Sequence, residues 1–385
     1  MKISKDIEIY IHIPFCVKKC CYCDFLSFKS DNHMIEDYIG ALIKEMRAKS
    51  VKDMEADTVF IGGGTPSILK PDYIEIIMSE LRKCFNVKKK AEITIEANPG
   101  TITAGKAQAY VNTGINRVSI GLQTAQDAEL KKLGRIHTWQ QFLDSYNILR
   151  EEGINNINVD IMSGLPLQSI EMYNDTIHKV CMLSPEHISA YSLIVEEGTP
   201  FYDMYNQESG RLKDELPNEE EERQQYYMTD KILTGYGYKR YEISNYAKSG
   251  FECRHNIGYW KRKPYIGLGL GAASLYSEKR FNNTSDIKKY ISNSEYPEKI
   301  TENIQILSTK EQMEEYMFLG MRMMEGVSRS TFMQKFGNDM DEIYGNVISK
   351  YSKIGMTDIN GDRVFLTKKG IDVSNMVFSD FLLDD

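Results

Sequence analysis

Several features that would assign a protein class at once are scarce or missing in this sequence of 385 residues. It has no apolar run of the length that a signal peptide or a membrane span needs. We therefore predict a soluble, cytoplasmic protein with no integral membrane segment and no leader before the first strand. No long basic run occurs beyond the three lysines at 88–90, and 55 acidic against 47 basic residues give a formal net charge of −8. This charge balance argues against nucleic acid or anionic lipid as a partner.

Paired zinc motifs are missing as well. Of the seven cysteines, four lie within eight positions, and the others, Cys84, Cys181 and Cys253, are isolated. No second Cys-x-x-Cys or Cys/His pair is therefore available to complete a zinc knuckle. This usage suits a reducing compartment and a metal cluster better than disulfides. A structural zinc site or a set of buried thiols is the alternative.

Cys16, Cys20 and Cys23 form a Cys-x-x-x-Cys-x-x-Cys pattern. This spacing lets a loop place three thiolates around three corners of a cubane and leaves the fourth iron without a protein ligand. We therefore predict a [4Fe–4S] cluster. Because adjacent side chains in a loop point in different directions, one of the neighbours Cys20 and Cys21 stays off the cluster.

Six segments with strand-like patterns alternate with helical segments along the first half of the chain. The first of them, Ile7–Ile13, alternates strictly between isoleucines and other residues. The six predicted strands cover residues 7–13, 57–61, 92–96, 117–123, 158–161 and 187–193. This order predicts right-handed βαβ units and hence an α/β fold with a partial, parallel (β/α)6 barrel. Its site is expected at the carboxyl ends of the strands.

The stretch Tyr10–Phe25, which reads Tyr-x-His-x-Pro-Phe-Cys-x-x-x-Cys-x-Tyr-Cys-Asp-Phe, resembles the radical S-adenosylmethionine (SAM) enzymes. In particular it is similar to the branch that holds oxygen-independent coproporphyrinogen III oxidase and the HemW-type haem chaperones. The spacing in this family assigns the cluster to Cys16, Cys20 and Cys23 and leaves Cys21 out.

The resemblance also implies which positions hold SAM. A glycine motif would receive the SAM amino group: Gly63, Gly64 and Thr65. Four positions would hold the ribose, the carboxylate and neighbouring parts of SAM: Glu96, Gln123, Arg135 and Asp160. Two aromatic positions would pack on its adenine or on a second ligand: Tyr10 and Tyr22. From the residues alone, Glu96 could equally cap a strand and Arg135 could pair with Glu129 on a helix face.

A second motif, His-Asn-x-x-Tyr-Trp, begins at His255 and looks like the signature of the haem-chaperone branch, in which this histidine is linked to haem binding. A histidine close to the aromatic residues Tyr259 and Trp260 can supply an axial nitrogen and flat apolar walls for haem. Cys253 is a rival axial ligand, and a hydrogen-bonded structural histidine is the alternative. The chain departs from the family at Ala273, where a histidine commonly follows Gly-Ala.

The chain divides into two predicted domains. Residues 1–280 would form the radical SAM barrel with its cluster and SAM site, including a polar connection at 202–223 and a haem-motif extension at 241–276. After the polar connection, Asn218 and Glu221 have the spacing of a capping box, which predicts the start of a helix.

The remaining residues, 281–385, would form a small C-terminal HemN-like domain. A methionine-rich amphipathic helix is predicted over residues 311–326, followed by a hairpin at Asn360-Gly361. Helices followed by a hairpin predict a winged-helix-like domain. Its acidic residues and the lack of a basic face argue against DNA binding.

Two activities compete within this branch. The coproporphyrinogen oxidases carry a further cysteine two residues after the third and a long N-terminal arm, whereas this chain has Phe25 at that position and 15 residues before Cys16. Together with the His-Asn-x-x-Tyr-Trp motif, this favours a radical SAM haem chaperone that delivers haem to apoproteins such as respiratory enzymes. The alternative is an oxygen-independent coproporphyrinogen III oxidase or a related radical SAM porphyrin enzyme. The resemblance is compatible with a homodimer, and the sequence leaves open whether SAM is cleaved.

Overall fold

Six parallel strands form the centre of one large sheet. The computed structural model describes residues 6–383, so the leader prediction, which concerns Met1–Lys5, lies outside the described residues. Each strand pairs in parallel with the next one along the chain. In order they are β1 (Asp6–Ile13), β2 (Val51–Gly63), β3 (Phe85–Ala97), β4 (Arg117–Gln123), β5 (Ile157–Ser163) and β6 (His187–Ser192). The predicted α/β fold with a partial (β/α)6 barrel is confirmed.

Helices cover the outer face of these strands. They are α1 (Asn32–Ala48), α2 (Pro71–Cys84), α3 (Ala104–Thr113), α4 (Asp127–Lys132), α5 (Trp139–Glu151) and α6 (Ile170–Leu183), with a 3-10 turn at Pro66–Ile68. The four isoleucines of β1 are buried in the core that these helices share with the strands. Because side chains alternate across a strand, the other face of β1 turns Glu8, Tyr10 and His12 into the barrel. The apolar core therefore lies between strands and helices, and the barrel interior is polar.

Short strands extend the sheet at both edges. After β6 the chain forms α7 (Pro200–Tyr205), a 3-10 turn at Lys213–Glu215, α8 (Glu219–Gly235), β7 (Lys239–Arg240) and β8 (Asn245–Ala247). At the β1 edge it then forms α9 (Arg254–Trp260), β9 (Tyr265–Leu268), β10 (Ala273–Tyr276), β11 (Lys279–Asn283), α10 (Ile287–Asn293), α11 (Pro297–Ile300) and β12 (Thr301–Ile306). Strand β9 runs parallel to β1, whereas β7, β8 and β10 to β12 pair antiparallel with their neighbours. The order across the sheet is β12-β11-β10-β9-β1-β2-β3-β4-β5-β6-β8-β7.

The polar connection at 202–223 packs beside the cysteine loop. Phe201 and Tyr205 of α7 are buried in a small apolar cluster that the cysteine loop also contacts. The capping box predicted at the start of α8 is confirmed, since the Asn218 side chain accepts the backbone N–H of Glu221 at 3.1 Å and the Glu221 carboxylate accepts that of Asn218 at 2.9 Å. The connection thus begins at buried apolar residues of α7 and ends at the charged N-terminus of α8.

The C-terminal part of the chain builds a second hydrophobic core. Its elements are α12 (Thr309–Gly320), β13 (Val327–Ser328), α13 (Arg329–Phe336), α14 (Met340–Lys353), β14 (Thr357–Asn360), β15 (Arg363–Leu366), α15 (Lys368–Asp372) and α16 (Ser374–Ser379). The hairpin predicted at Asn360-Gly361 joins β14 to β15, and β13 completes a three-stranded sheet. The predicted small winged-helix-like domain is therefore confirmed. Its first helix ends at Gly320, short of residue 326, because the chain turns there and Val327 packs where a Cβ of Gly320 would lie.

The predicted division of the chain at residue 280 falls inside β11. Strands β11 and β12 pair within the large sheet, and Tyr290 of α10 is fully buried against Tyr38 of α1. The second core begins only at Met313. We therefore propose that the C-terminal domain begins after Ile306. No helix in residues 6–383 combines the length and the apolar character needed to cross a membrane.

Candidate functional site

A cavity of about 500 Å³ lies within the barrel and reaches the carboxyl ends of its strands. Inward-facing residues of all six parallel strands line it. These residues are Tyr10, His12, Phe60, Gly63, Glu96, Arg117, Ser119, Gln123, Asn158, Asp160, Met162, Ser189 and Tyr191. The cysteine loop and α9 complete the wall with Tyr22, Phe25, His255, Asn256 and Tyr259. A second cavity of about 130 Å³ shares part of this wall and reaches the cysteines.

The loop after β1 brings Cys16, Cys20 and Cys23 to the wall of the smaller cavity. Two of these thiols accept hydrogen bonds from elsewhere in the barrel. Thr65 Oγ1 donates to Cys16 Sγ at 3.4 Å, and Arg135 Nη1 donates to Cys20 Sγ at 3.6 Å. These two thiols are therefore held by side chains of the barrel as well as by their own loop.

Cys21 has different surroundings. Its backbone N–H donates to the Leu133 carbonyl at 3.0 Å, and its carbonyl accepts the N–H of Phe201 at 3.0 Å. Its Sγ lies so close to Gly134 that a Cβ there would be only 2.8 Å away. The Cys21 thiol therefore faces a packed apolar cluster and lines neither of the two cavities.

The glycine turn after β2 presents bare backbone to the site. Gly63 has φ +113°, and a Cβ on it would lie 2.5 Å from the ring of His12. A Cβ on Gly64 would lie 2.7 Å from the carbonyl oxygen of Phe15. Only glycine fits both positions without a shift of the neighbouring chain. The N–H of Gly63 donates to Glu96 Oε2 at 2.9 Å, which fixes this carboxylate beside the turn.

Two carboxyl groups share the cavity wall. Asp160 accepts hydrogen bonds from Asn158 Nδ2 at 2.7 Å and from Ser119 Oγ at 3.4 Å. Burial, and next the neighbouring charge of Asp160, raise the pKa of Glu96 to about 7, although the N–H of Gly63 opposes this shift. Burial also raises the pKa of Asp160 above its usual value. Both carboxyl groups therefore keep a proton up to a higher pH than surface carboxylates do.

Arg135 and Gln123 line the smaller cavity together with the two acids and the three cysteines. Arg135 donates to the carbonyl oxygen of Gly121 as well as to Cys20. It makes no ion pair with Glu129, whose carboxylate instead bonds a neighbouring threonine and glutamine. Gln123 ends β4 with φ +75°, an unusual backbone conformation for a residue other than glycine, and it lines both cavities.

The predicted aromatic positions supply flat faces. The Tyr10 hydroxyl donates to Nδ1 of His12 at 2.9 Å, and Nε2 of His12 donates to the Leu26 carbonyl at 2.8 Å. The Tyr10 ring stacks on Phe60 with 6.3 Å between ring centroids. Tyr22 lines both cavities, on the side of the cysteines.

Helix α9 brings His255 to the same cavity. Nδ1 of His255 lies 2.7 Å from the Thr58 hydroxyl and Nε2 lies 3.1 Å from the Tyr259 hydroxyl. The ring stacks on Phe60 at 5.1 Å, and the backbone N–H donates to Glu92 Oε1 at 3.1 Å. Burial lowers the pKa of His255 to about 3, so its imidazole is neutral.

Cys253, which the sequence offered as a rival haem ligand, is fully buried and belongs to neither cavity wall. Its Sγ lies 3.7 Å from Glu92 Oε1, and burial raises its pKa to about 12. A thiolate would be needed to bind haem iron, and this environment opposes its formation. We therefore do not retain Cys253 as a ligand and keep His255.

Comparisons with known proteins agree with this geometry. The radical SAM superfamily matches residues 10–180, and the HemN C-terminal domain matches residues 307–373. A protein named heme chaperone HemW from Lactococcus lactis is 36% identical over 383 residues, which cover 100% of this chain and 99% of the relative. The chain belongs to the HemW family of radical SAM proteins.

A second relative supports membership of the HemW family, and a solved structure supports the fold. A second heme chaperone HemW, from Bacillus subtilis, is 36% identical over 379 residues, covering 97% of this chain and 98% of the relative. The solved structure of coproporphyrinogen III oxidase (HemN) from Escherichia coli superposes with a TM-score of 0.84, covering 98% of this chain and 90% of that one. Its sequence identity is 20%, so this likeness shows a shared fold.

Membership of the radical SAM superfamily implies a [4Fe–4S] cluster and SAM, and the residues of this HemW family member fit both. Within residues 6–383, no three His, Cys, Asp or Glu side chains converge closely enough to hold a single metal ion. A cubane presents separate irons to its ligands, so three thiols spread around one cavity suit a cluster. Gly63 and Gly64 contribute bare backbone to the wall of the cavity that the three thiols also line.

The sequence did not identify several wall residues of the HemW barrel. Arg117, Ser119, Asn158 and Ser189 face the cavity from strands that were predicted. The signal was present, since polar residues at every second position of a barrel strand share its inner face. Asn158, for example, stands two residues before the predicted site residue Asp160.

Proposed function

We propose that this protein binds haem and delivers it to apoproteins, and that its barrel also holds a [4Fe–4S] cluster and SAM. The observation that carries this proposal is that His255 and Tyr259 of α9 line the same cavity as Glu96 and Asp160. Full-length relatives at 36% identity are named haem chaperones, which supports the same function.

Three thiols would hold the cluster: Cys16, Cys20 and Cys23. When bound, the cluster supplies an open iron for SAM and an electron for its sulfonium. Glu96 and Asp160 offer carboxylate oxygens to the amino and hydroxyl groups of SAM, and Gly63 lines both cavities with backbone alone. The remaining predicted SAM positions line the same walls: Tyr10, Tyr22, Gly64, Thr65, Gln123 and Arg135.

Haem would lie toward α9, beside the rings of Phe60 and Tyr259. Iron binds neutral imidazole, and the lowered pKa of His255 keeps its ring neutral throughout the physiological range. Its Nε2 faces the Tyr259 hydroxyl, so iron would replace that hydroxyl as its partner.

The test is a haem titration of anaerobically reconstituted protein, followed by transfer of the bound haem to apomyoglobin. We expect the wild type to bind haem and His255→Ala to bind it more weakly, with a shifted Soret band. His178→Ala is the matched control, because this half-buried histidine on α6 lies outside both cavity walls and contacts Tyr236. Failure of the wild type to bind or transfer haem would reject the proposal.

The same samples decide between the chaperone and the oxidase. They are assayed under reducing conditions for 5′-deoxyadenosine, with and without coproporphyrinogen, and for its decarboxylation to protoporphyrinogen. The chaperone assignment expects no decarboxylation. Turnover with release of carbon dioxide would instead establish the oxygen-independent oxidase.

The cellular setting stays a prediction. None of the seven cysteines, all of which the structure describes, forms a disulfide, which suits the reducing cytoplasm that we propose as its location. Respiratory apoproteins as haem acceptors and a homodimer remain predictions of the same kind.

A further inference from the structure

Arg117 is a buried cation inside the barrel that forms no ion pair with the residues that the structure describes. It is the first residue of β4, its side chain lines the 500 Å³ cavity, and only 2% of it is exposed. Its Nε is buried without a hydrogen-bond partner among residues 6–383, and the acids whose charges act on it, Glu92 and Asp160, form no salt bridge with it. Burying an unpaired charge is costly, so this arrangement favours a ligand that supplies the missing anion.

The nearby acids of the barrel have other partners. Glu92 accepts the backbone N–H groups of Arg254 and His255, each at 3.1 Å. Asp160 accepts Asn158 at 2.7 Å and Ser119 at 3.4 Å, as described above. Neither carboxylate is close enough to Arg117 to form an ion pair with it in the part of the chain that the structure describes.

The location of Arg117 separates it from the cysteines. It lines the large cavity together with His255 and Asn256 but does not line the smaller cavity that contains the three thiols. A ligand group that reaches Arg117 therefore lies at the α9 end of the cavity. This is the end that the proposed function assigns to haem.

We propose that Arg117 forms a carboxylate-binding subsite at this end of the cavity. The planar guanidinium matches a carboxylate with two parallel hydrogen bonds, and burial away from bulk water strengthens such a pair. This inference rests on the proposed function, in which the carboxylate would be a propionate of haem. The methionyl carboxylate of SAM has the same chemistry and is the other source that the experiment must distinguish.

The experiment compares ligands with and without the carboxylate on reconstituted wild type and Arg117→Gln. Ferric haem is compared with haem dimethyl ester, whose propionates are esterified, and SAM with its decarboxylated analogue. We expect Arg117→Gln to weaken haem binding about tenfold or more and to leave binding of the ester unchanged. Arg117→Lys should recover part of the affinity, because lysine keeps the charge without the planar fork. Arg82→Gln, which removes an exposed guanidinium on α2, is the control.

Each outcome decides the proposal. Weaker binding of SAM but not of its decarboxylated analogue supports the subsite with SAM as the source of the carboxylate. If Arg117→Gln loses affinity equally for haem and for the ester, or loses affinity for none of the ligands, the proposed subsite is overturned. If Arg117→Gln does not fold, the wild type alone decides, since a dimethyl ester bound as tightly as haem would also overturn it. A wild type that binds no haem refutes the proposed function, and the SAM comparison still tests the subsite.

Discussion

The hydroxyl of Tyr259 lies 3.1 Å from Nε2 of His255, while Nδ1 of the same ring lies 2.7 Å from the hydroxyl of Thr58. Both nitrogens of the imidazole are therefore engaged, and the ring is held between two elements. Thr58 is buried and outside the cavity wall, whereas Tyr259 belongs to it. Only the bond to Tyr259 can be exchanged for a ligand without opening the core.

Tyr259→Phe should strengthen haem binding if His255 is the axial ligand. The substitution keeps the ring and removes the hydroxyl that competes with iron for Nε2. A single hydrogen bond contributes about 1 kcal/mol, so the dissociation constant should fall about fivefold. Haem titration followed in the Soret band measures this. Tyr265→Phe, whose ring packs edge-on against Tyr259, is the control and should leave the affinity unchanged. An unaltered affinity in Tyr259→Phe would argue that His255 has a structural role.

Cys21→Ser should leave the cluster intact. Its thiol packs in the apolar cluster beside α7, whereas the other three thiols share a cavity wall. After anaerobic reconstitution, iron content and the brown chromophore should match the wild type. Substitution of Cys16, Cys20 or Cys23 by serine should remove most of the iron and most of the chromophore. Loss of the chromophore in Cys21→Ser would overturn the ligand assignment.

Gly63→Ala should destabilise the protein. The new Cβ would lie 2.5 Å from the His12 ring, on backbone with φ +113°. Strain of this kind costs about 1–3 kcal/mol, and the free energy of unfolding from urea curves measures it. Gly40→Ala provides the contrast, because it lies on the exposed side of α1 with no atom within 4 Å of a new Cβ. This variant should instead be stabilised by about 1 kcal/mol. Equal effects in the two variants would refute the role of the turn.

Glu96→Gln should change the pH dependence of stability. The raised pKa of Glu96 means that the folded protein keeps a proton that the unfolded chain releases from about pH 4.5 upward. Its contribution to stability is therefore complete below the unfolded pKa and is lost by about pH 7. At each pH the unfolding free energy of the ligand-free variant is compared with that of the ligand-free wild type. This difference should be less favourable to the variant at pH 5 than at pH 8, by about 1–3 kcal/mol. Urea unfolding at both pH values tests this.

Glu75→Gln is the matched control for this measurement. Glu75 is exposed on α2, outside the barrel. Its substitution should alter the unfolding free energy equally at the two pH values. A Glu96→Gln variant that behaves in the same way would show that the Glu96 carboxyl does not drive the pH effect.

The central strands were predictable because their pattern is simple. In β1 four isoleucines face the helices, while Tyr10 and His12 face the barrel, which gives a strict two-residue period. The Asn218 capping box and the Asn360-Gly361 turn were equally local signals. Each feature depends on neighbours in sequence, so the sequence alone was sufficient.

The features that the sequence did not provide depend on long-range packing. Strands β7 and β8 are two and three residues long, too short to show a period, and form because β6 offers an unpaired edge. The exclusion of Cys253 from the cavity depends on contact with Glu92, which is 161 residues away in the chain. Arg117 begins a strand in the sequence, and only the packing of six strands into the partial barrel shows that its charge is buried.

The polar interior of the barrel affects the abundance of this protein in the cell. Glu8, Thr94 and Arg117 each carry a buried polar atom that has no hydrogen-bond partner within the described range 6–383. Unsatisfied groups of this kind cost about 1–3 kcal/mol each, and a ligand that binds only the folded state offsets such costs by mass action. Newly synthesised chains that have not yet loaded their cofactors are thus closest to unfolding and most open to proteolysis. We therefore expect iron starvation to lower the abundance of this protein even at a constant rate of synthesis.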